Sequence, residues 1–171
     1  MNIRLELMSQ GNIMDIFKFE QDNKLFFEQT LPARPSVYNV FESFEQLMET
    51  FLYEQACGDH FMYLIRDVAG QMLGRINLFL EGQKLPNQAE LGYRIGEKAQ
   101  GKGVASSAVH LILEKAFQDL QLETIVAGTS TLNIGSQQVL IKNGFEEIAR
   151  EKNVMVVNGL ALDGILYAKY K

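Results

Sequence analysis

The ten residues Gly96-Glu97-Lys98-Ala99-Gln100-Gly101-Lys102-Gly103-Val104-Ala105 join a strand-like run, residues 89–95, to a run with Val104, Ala108, Leu111 and Ile112 at helical spacing. No other feature constrains the fold as much. A strand that passes through glycines into a helix presents the first turn of that helix at the end of a sheet, with N–H groups that have no intrahelical partner. The helix dipole adds partial positive charge there. Gly101 and Gly103 carry no Cβ, so an anion can come close to the backbone. The junction therefore predicts an α/β arrangement with an anion-binding turn at its centre.

The rest of the chain supplies elements to surround it. Ile3–Leu7 alternates apolar and polar residues as an opening strand does. Ile13, Ile16, Phe17, Phe19, Leu25 and Phe26 mark a helical region over residues 11–29, and residues 30–36 hold two of the three prolines and read as irregular. Ser43 with Gln46 forms a capping box for a helix ending near Cys57, with Gly58 as its stop. Strands are expected over 61–66 and 72–80, separated by a turn at 67–70, then a loop over 82–88 and a strand over 89–95. The helix after the junction runs over 103–117, followed by a short strand over 123–128. A second short helix over 134–142 has Asn133 as N-cap and stops at Gly144. The chain closes in a hairpin, 153–157 and 160–170, around Asn158-Gly159. The expected class is α/β (α+β): a mixed, mostly antiparallel central sheet of about seven strands with helices on both faces.

Composition removes several functional classes. A chain of 171 residues suits a single domain over 1–171 and buries a core without disulfides or a structural metal. No apolar run approaches the ~20 residues that span a bilayer, and the start of the chain lacks the apolar stretch of a secretory signal. A cytoplasmic location without a membrane partner is the expectation. Cys57 is the only cysteine and reads as packing near a helix end rather than as a nucleophile; His60 and His110 are too few and too scattered for zinc, so no metal is expected. A net charge of −5 offers no stripe for a nucleic-acid backbone and is compatible with a cationic amine.

Three phosphate motifs compete for the junction. Gly96 to Lys102 follows the nucleoside-triphosphate loop until Gly103 stands where a magnesium-binding hydroxyl belongs. Gly101 and Gly103 begin the dinucleotide fingerprint, but Ser106 takes its third glycine position and repeated βαβ halves are missing. Gln100, Gly103 and Ala105 satisfy a third pattern completely, (Arg/Gln)-x-x-Gly-x-(Gly/Ala), the coenzyme A pyrophosphate loop of the GNAT N-acetyltransferase superfamily. A glycine-rich turn that caps a helix without any ligand is the remaining reading of the loop alone. Downstream residues make the resemblance specific. Ala89-Glu90-Leu91-Gly92-Tyr93-Arg94-Ile95, the loop, Asn133-Ile134-Gly135-Ser136 before Val139-Leu140, and Lys142-Asn143-Gly144-Phe145 resemble successive GNAT landmarks in order and spacing. The pattern is similar to the branch of ribosomal-protein-alanine N-acetyltransferases and is clear over residues 88–171.

That resemblance implies an acyl-CoA N-acyltransferase fold, acetyl-CoA as co-substrate, and direct transfer of an acetyl group to a primary amine in a ternary complex. The acceptor it implies is a protein or peptide N-terminus, with a small amine (polyamine, amino acid, antibiotic) as the alternative. By the same resemblance Gln100, Gly101, Lys102, Gly103, Val104 and Ala105 hold the pyrophosphate, and the backbone of Tyr93 and Ile95 pairs with the pantetheine arm. Asn133 contacts that arm, caps its helix, or does both. Glu90 is the candidate general base, directly or through water, with a salt bridge to Arg94 as the competing role. Many members carry a tyrosine acid where this chain has Leu140; Ser136 is the implied substitute, or else an ordinary first-turn residue, and Tyr167 is a weaker candidate. Phe26, Phe27, Arg34 and Tyr38, with the loop 82–88, either wall the acceptor pocket or pack in the core. The assembly expected is a monomer or homodimer. A non-catalytic acyl-CoA sensor and a nucleotide-binding protein remain as readings from other classes.

Overall fold

The computed structural model describes residues 2–80, 82–83 and 85–171. Twelve elements other than short 3-10 and π turns follow in order: β1 (Ile3–Leu7), α1 (Ile13–Asp22), α2 (Lys24–Phe27), α3 (Phe41–Cys57), β2 (His60–Asp67), β3 (Met72–Phe79), β4 (Gln88–Ile95), α4 (Val104–Glu114), β5 (Thr124–Ser130), α5 (Ile134–Lys142), β6 (Glu146–Val157) and β7 (Leu160–Tyr170). The strands form one seven-stranded sheet in the order β1-β2-β3-β4-β5-β7-β6. Every neighbouring pair is antiparallel except β4 and β5.

Helices cover both faces, and each face has its own core. On one face α4 packs Val104, Ala108, Val109 and Ile112 against Ile65, Ile76, Leu78, Leu91 and Ile125. On the other, Ile13, Ile16, Phe44 and Met48 of α1 and α3 cover Met62 and Leu64. β2 reads Phe-Met-Tyr-Leu-Ile without alternation because apolar helices cover both of its sides. Burying each such Leu or Ile contributes about 1.5–3 kcal/mol.

Several boundaries differ from the sequence expectation for identifiable reasons. The helical region over 11–29 breaks at Asn23 between α1 and α2. Asn23 is not idle: its Oδ1 accepts from the Glu97 N–H at 2.9 Å, and its Nδ2 donates to the Phe19 carbonyl at 2.9 Å. The break thus ties α1 to the start of the glycine junction. Ser43 caps nothing. α3 begins at Phe41, and the Ser43 hydroxyl donates to the Val37 and Val40 carbonyls instead. Cys57 is exposed, on the solvent side of the last helical turn, rather than packed. β6 is longer than the expected 153–157; five of the residues 146–152 are charged and at home on the outer edge of the sheet, where charge discourages further strand pairing. Lys84, within the expected loop 82–88, lies outside the described residues. The Asn158-Gly159 turn, the Asn133 cap and the left-handed stop at Gly58 form as read. Among the described residues no helix is long and apolar enough to cross a membrane.

Candidate active site

The two parallel strands do not stay together. β4 and β5 pair only from Gln88↔Thr124 to Glu90↔Val126, and beyond that point each keeps only its antiparallel neighbour on the far side. The split leaves inward-facing backbone edges and opens a cavity of about 370 Å³. Leu91 to Ile95 of β4 and Ala127 to Ser130 of β5 line it, with Asn133 before α5 and Ser136 and Leu140 within it. Phe26, Phe27, Thr30, Leu31 and Pro32 wall the side near α2, and Met155 reaches in from β6.

The glycine junction sits at the mouth of this split. Gly101 and Gly103 have φ of 70° and 77°, left-handed values that a side chain strains, and a Cβ at either would meet nothing within 4 Å. Conformation, not crowding, selects glycine here. Gly103 is the N-cap of α4 and offers no side chain to its first turn, so those N–H groups are left for an anion. Val104 is buried and anchors the helix, and Gln100 and Ala105 line the cavity. The Gln100 side chain donates to the Ile95 carbonyl at 2.8 Å, which braces the loop against β4 and occupies that carbonyl. Lys102 is exposed and, with Lys98, borders a broader depression of about 840 Å³ on the other side of the loop. That depression mixes Asp15, Asp22, Asp67 and Glu97 with its cations and has no split sheet beneath it. The narrower cleft, by contrast, lies in the split between β4 and β5.

At the α5 end, Asn133 Oδ1 accepts from the Ser136 N–H at 3.1 Å. That bond leaves the Ser136 hydroxyl free of capping, and its Oγ lies 2.9 Å from the Tyr93 hydroxyl. Burial pushes the Tyr93 phenol above its ordinary value, with the Ser136 hydrogen bond acting against the shift, so Tyr93 is a neutral O–H at physiological pH. Sequence reasoning had assigned only the Tyr93 backbone. The available signal was strand alternation, which puts residues 91, 93 and 95 on one face of the splayed strand. Leu140 lines the same end with an apolar side chain. Tyr167 is buried in β7 opposite Ala127 and Glu147 and packs in the core, away from the lined cavity.

On the opposite face of β4, Glu90 is exposed and outside the cavity lining. Its expected partner Arg94 is engaged elsewhere. The buried Glu20 of α1 collects three arginines: Arg34 at 3.2 Å, Arg75 at 3.2 Å and Arg94 at 3.6 Å. Burial alone would raise the Glu20 carboxyl, but the Arg75, Arg34 and Arg94 charges outweigh it and hold the group below the usual carboxylate range. Glu20 is therefore no base. Arg34 and Tyr38 stack on each other at 4.7 Å beside the cleft, not in it, and none of the described residues of the loop 82–88 lines it. Among the described residues no group of three or more His, Cys, Asp or Glu is placed to hold a metal ion.

Comparison with known proteins agrees with this geometry. Residues 2–146 match the family model described as an acetyltransferase (GNAT) domain. The chain is 31% identical over 144 residues to "Probable N-acetyltransferase YjcK" of Bacillus subtilis, covering 82% of this chain and 78% of the relative. Its fold superposes on a ribosomal-protein-S5-alanine acetyltransferase from Vibrio fischeri with a TM-score of 0.91 at 20% identity, covering 99% of this chain and 93% of the other. It likewise resembles a spermidine N-acetyltransferase from Vibrio cholerae solved with CoA and spermine, with a TM-score of 0.81 at 19% identity over 98% and 95% of the two chains.

Proposed function

Because the chain belongs to the GNAT acetyltransferase family, we propose that it transfers the acetyl group of acetyl-CoA to a primary amine at a protein or peptide N-terminus, by direct attack in a ternary complex. The observation that carries this reading is the split between β4 and β5, which opens at the uncapped N-terminus of α4. Bound acetyl-CoA supplies an activated thioester. The residues of the chain then have four tasks: binding, polarising, deprotonating and protonating.

Residues 100–105 hold the pyrophosphate through the first-turn N–H groups of α4, and Tyr93, Ile95 and Asn133 flank the arm. A backbone N–H on the inner edge of β4 polarises the carbonyl. The Ser136 hydroxyl, backed by the Tyr93 O–H at 2.9 Å, delivers a proton to the departing sulfur. For the amine proton, Tyr93 and Arg94 are the only titratable side chains that line the cavity among the described residues, and neither is a base at neutral pH. Glu90, on the acceptor face and open to solvent, takes that proton through an intervening water. A cytoplasmic setting, one functional domain and a monomer or homodimer belong to the same reading. A small amine as acceptor is the alternative, favoured by a cavity of only about 370 Å³.

Acetyl-CoA should raise the melting temperature, since a ligand at one hundred times its Kd stabilises the native state by about 2.7 kcal/mol. Free thiol should then appear with an N-terminal peptide or a small amine. A folded sample with no thermal shift at saturating acetyl-CoA overturns the reading.

A further inference from the structure

Arg94 is an unusual side chain for its surroundings. Its side chain is 13% exposed, yet among the described residues it donates no hydrogen bond; its contacts are the long ion pair to Glu20 at 3.6 Å and a stack over the Phe27 ring at 5.0 Å. A guanidinium has five N–H donors, and those of Arg94 remain accessible from the cleft that it lines. The Glu20 carboxylate, 3.6 Å away, accepts no hydrogen bond from them. Its oxygens accept from Nε and Nη2 of Arg34, at 3.4 and 3.2 Å, while Nη1 of Arg75 lies 3.2 Å away as an ion pair without hydrogen-bond geometry. Three cations around one anion leave an excess of two positive charges. Lys24 and Glu28, which line the same small recess, contribute one charge of each sign. Burial and the neighbouring Arg34 lower Arg94 to about 10, so it stays cationic at neutral pH.

Of the three arginines, Arg94 is the one that lines the reaction cleft among the described residues. Arg94 lines the cavity together with Tyr93, and the next residue on its face of β4 is Gly92, which puts no side chain between Arg94 and the solvent-open Glu90. The walls beside it, Phe26, Leu31 and Pro32, offer no competing carboxylate. The geometry points to Arg94 as the docking point for a carboxylate carried by the acceptor, close to the amine that is acetylated. The inference rests on the acetyl-transfer reading above and narrows its acceptor. A planar carboxylate matches the guanidinium fork and completes the donors that Glu20 leaves unmet. Wholly cationic amines meet a repulsive wall.

Two sources of that carboxylate are chemically equivalent at Arg94: the α-carboxylate of a free amino acid, and an acidic side chain at the second position of a peptide. Steady-state acetylation separates them. One arm compares alanine with alaninamide; the other compares hexapeptides that begin Ala-Glu, Ala-Gln or Ala-Lys and are otherwise identical. The expected result is a preference of tenfold or more in kcat/KM for the carboxylate member of one arm, expressed mainly in KM and reduced by added salt. Arg94→Gln should bring that ratio to about one, and Arg94→Lys should restore part of it. Both variants are checked for folding by their acetyl-CoA melting shift, and the wild-type comparison stands even if neither folds. Ratios near one in both arms, or a preference for the Ala-Lys peptide, overturn the inference while leaving acetyl transfer intact. Binding of acetyl-CoA with no acetylation of any acceptor removes the transfer reading and this inference with it.

Discussion

The Tyr93 and Ser136 hydroxyls meet at 2.9 Å across the end of the cleft, one from β4 and the other from the first turn of α5. Neither is charged, and Asn133 holds the Ser136 backbone so that the serine oxygen stays turned toward Tyr93. If this pair protonates the leaving sulfur, Ser136→Ala should lower kcat about 10²-fold while the apparent affinity for acetyl-CoA changes little, in line with the usual contribution of a positioned acid. Tyr93→Phe should cost less, and the double variant should cost no more than Ser136→Ala alone, because the two act as a unit. Rapid-mixing or steady-state thiol release measures this; full additivity would separate the two residues.

Glu20 should be a stability residue. Glu20→Gln keeps the shape but leaves Arg34, Arg75 and Arg94 crowded without an anion, and removing one partner from a buried ionic cluster costs about 3–5 kcal/mol. Denaturant titration should show the midpoint falling steeply with the slope unchanged.

His60 predicts the acid limb of the stability curve. It is buried between the Phe51 and Phe79 rings, at 4.8 and 4.4 Å, and neither ring nitrogen has a hydrogen-bond partner. Burial, aided by the Arg75 charge, lowers its pKa from 6.5 to about 4, so the nearby Glu54 carboxylate at 3.5 Å faces a neutral ring at pH 7. Between these values the unfolded chain binds a proton that the native protein does not, so stability falls as pH drops from about 6.5 toward 4, by about 3 kcal/mol in all. Chemical denaturation across pH 4–7 should show this fall, and His60→Phe should flatten it.

The glycine loop makes a separable prediction. Gly103→Ala forces a side chain to φ 77° at the helix N-cap, costing about 1–2 kcal/mol. The displaced first-turn N–H groups should raise KM for acetyl-CoA more than they lower kcat. A variant with the wild-type KM would show that the loop does not contact the pyrophosphate.

Glu90 is tested by its pH profile. Glu90→Gln should lower kcat/KM at neutral pH and leave a rate that climbs with pH as free amine becomes available. An unchanged profile removes Glu90 from the mechanism.

Much of this was local enough to read in one dimension. Gly101 and Gly103 at a strand–helix junction, Asn133 before a helix, Asn158-Gly159 between apolar runs and the periods of α4 and β7 express backbone preferences that act within a few residues, so the order of elements and the conformation of the glycine loop could be read from the sequence alone. Element ends were less legible: Asn23 ends a helix because Glu97, 74 residues away, takes up its side chain.

The partners were decided only in three dimensions. Alternation placed Glu90 and Arg94 on one face of β4, but not that α1 would lower Glu20 onto that face and draw Arg34, Arg75 and Arg94 around it. The family resemblance implies that the strands over 89–95 and 123–128 splay apart, but only the tertiary structure shows that they part after Val126 and bring Tyr93 to Ser136 and Met155 to the cleft. A charge or a hydroxyl pairs with whatever the packing of distant layers sets against it, and that choice depends on long-range burial and strand order rather than on neighbours in the chain.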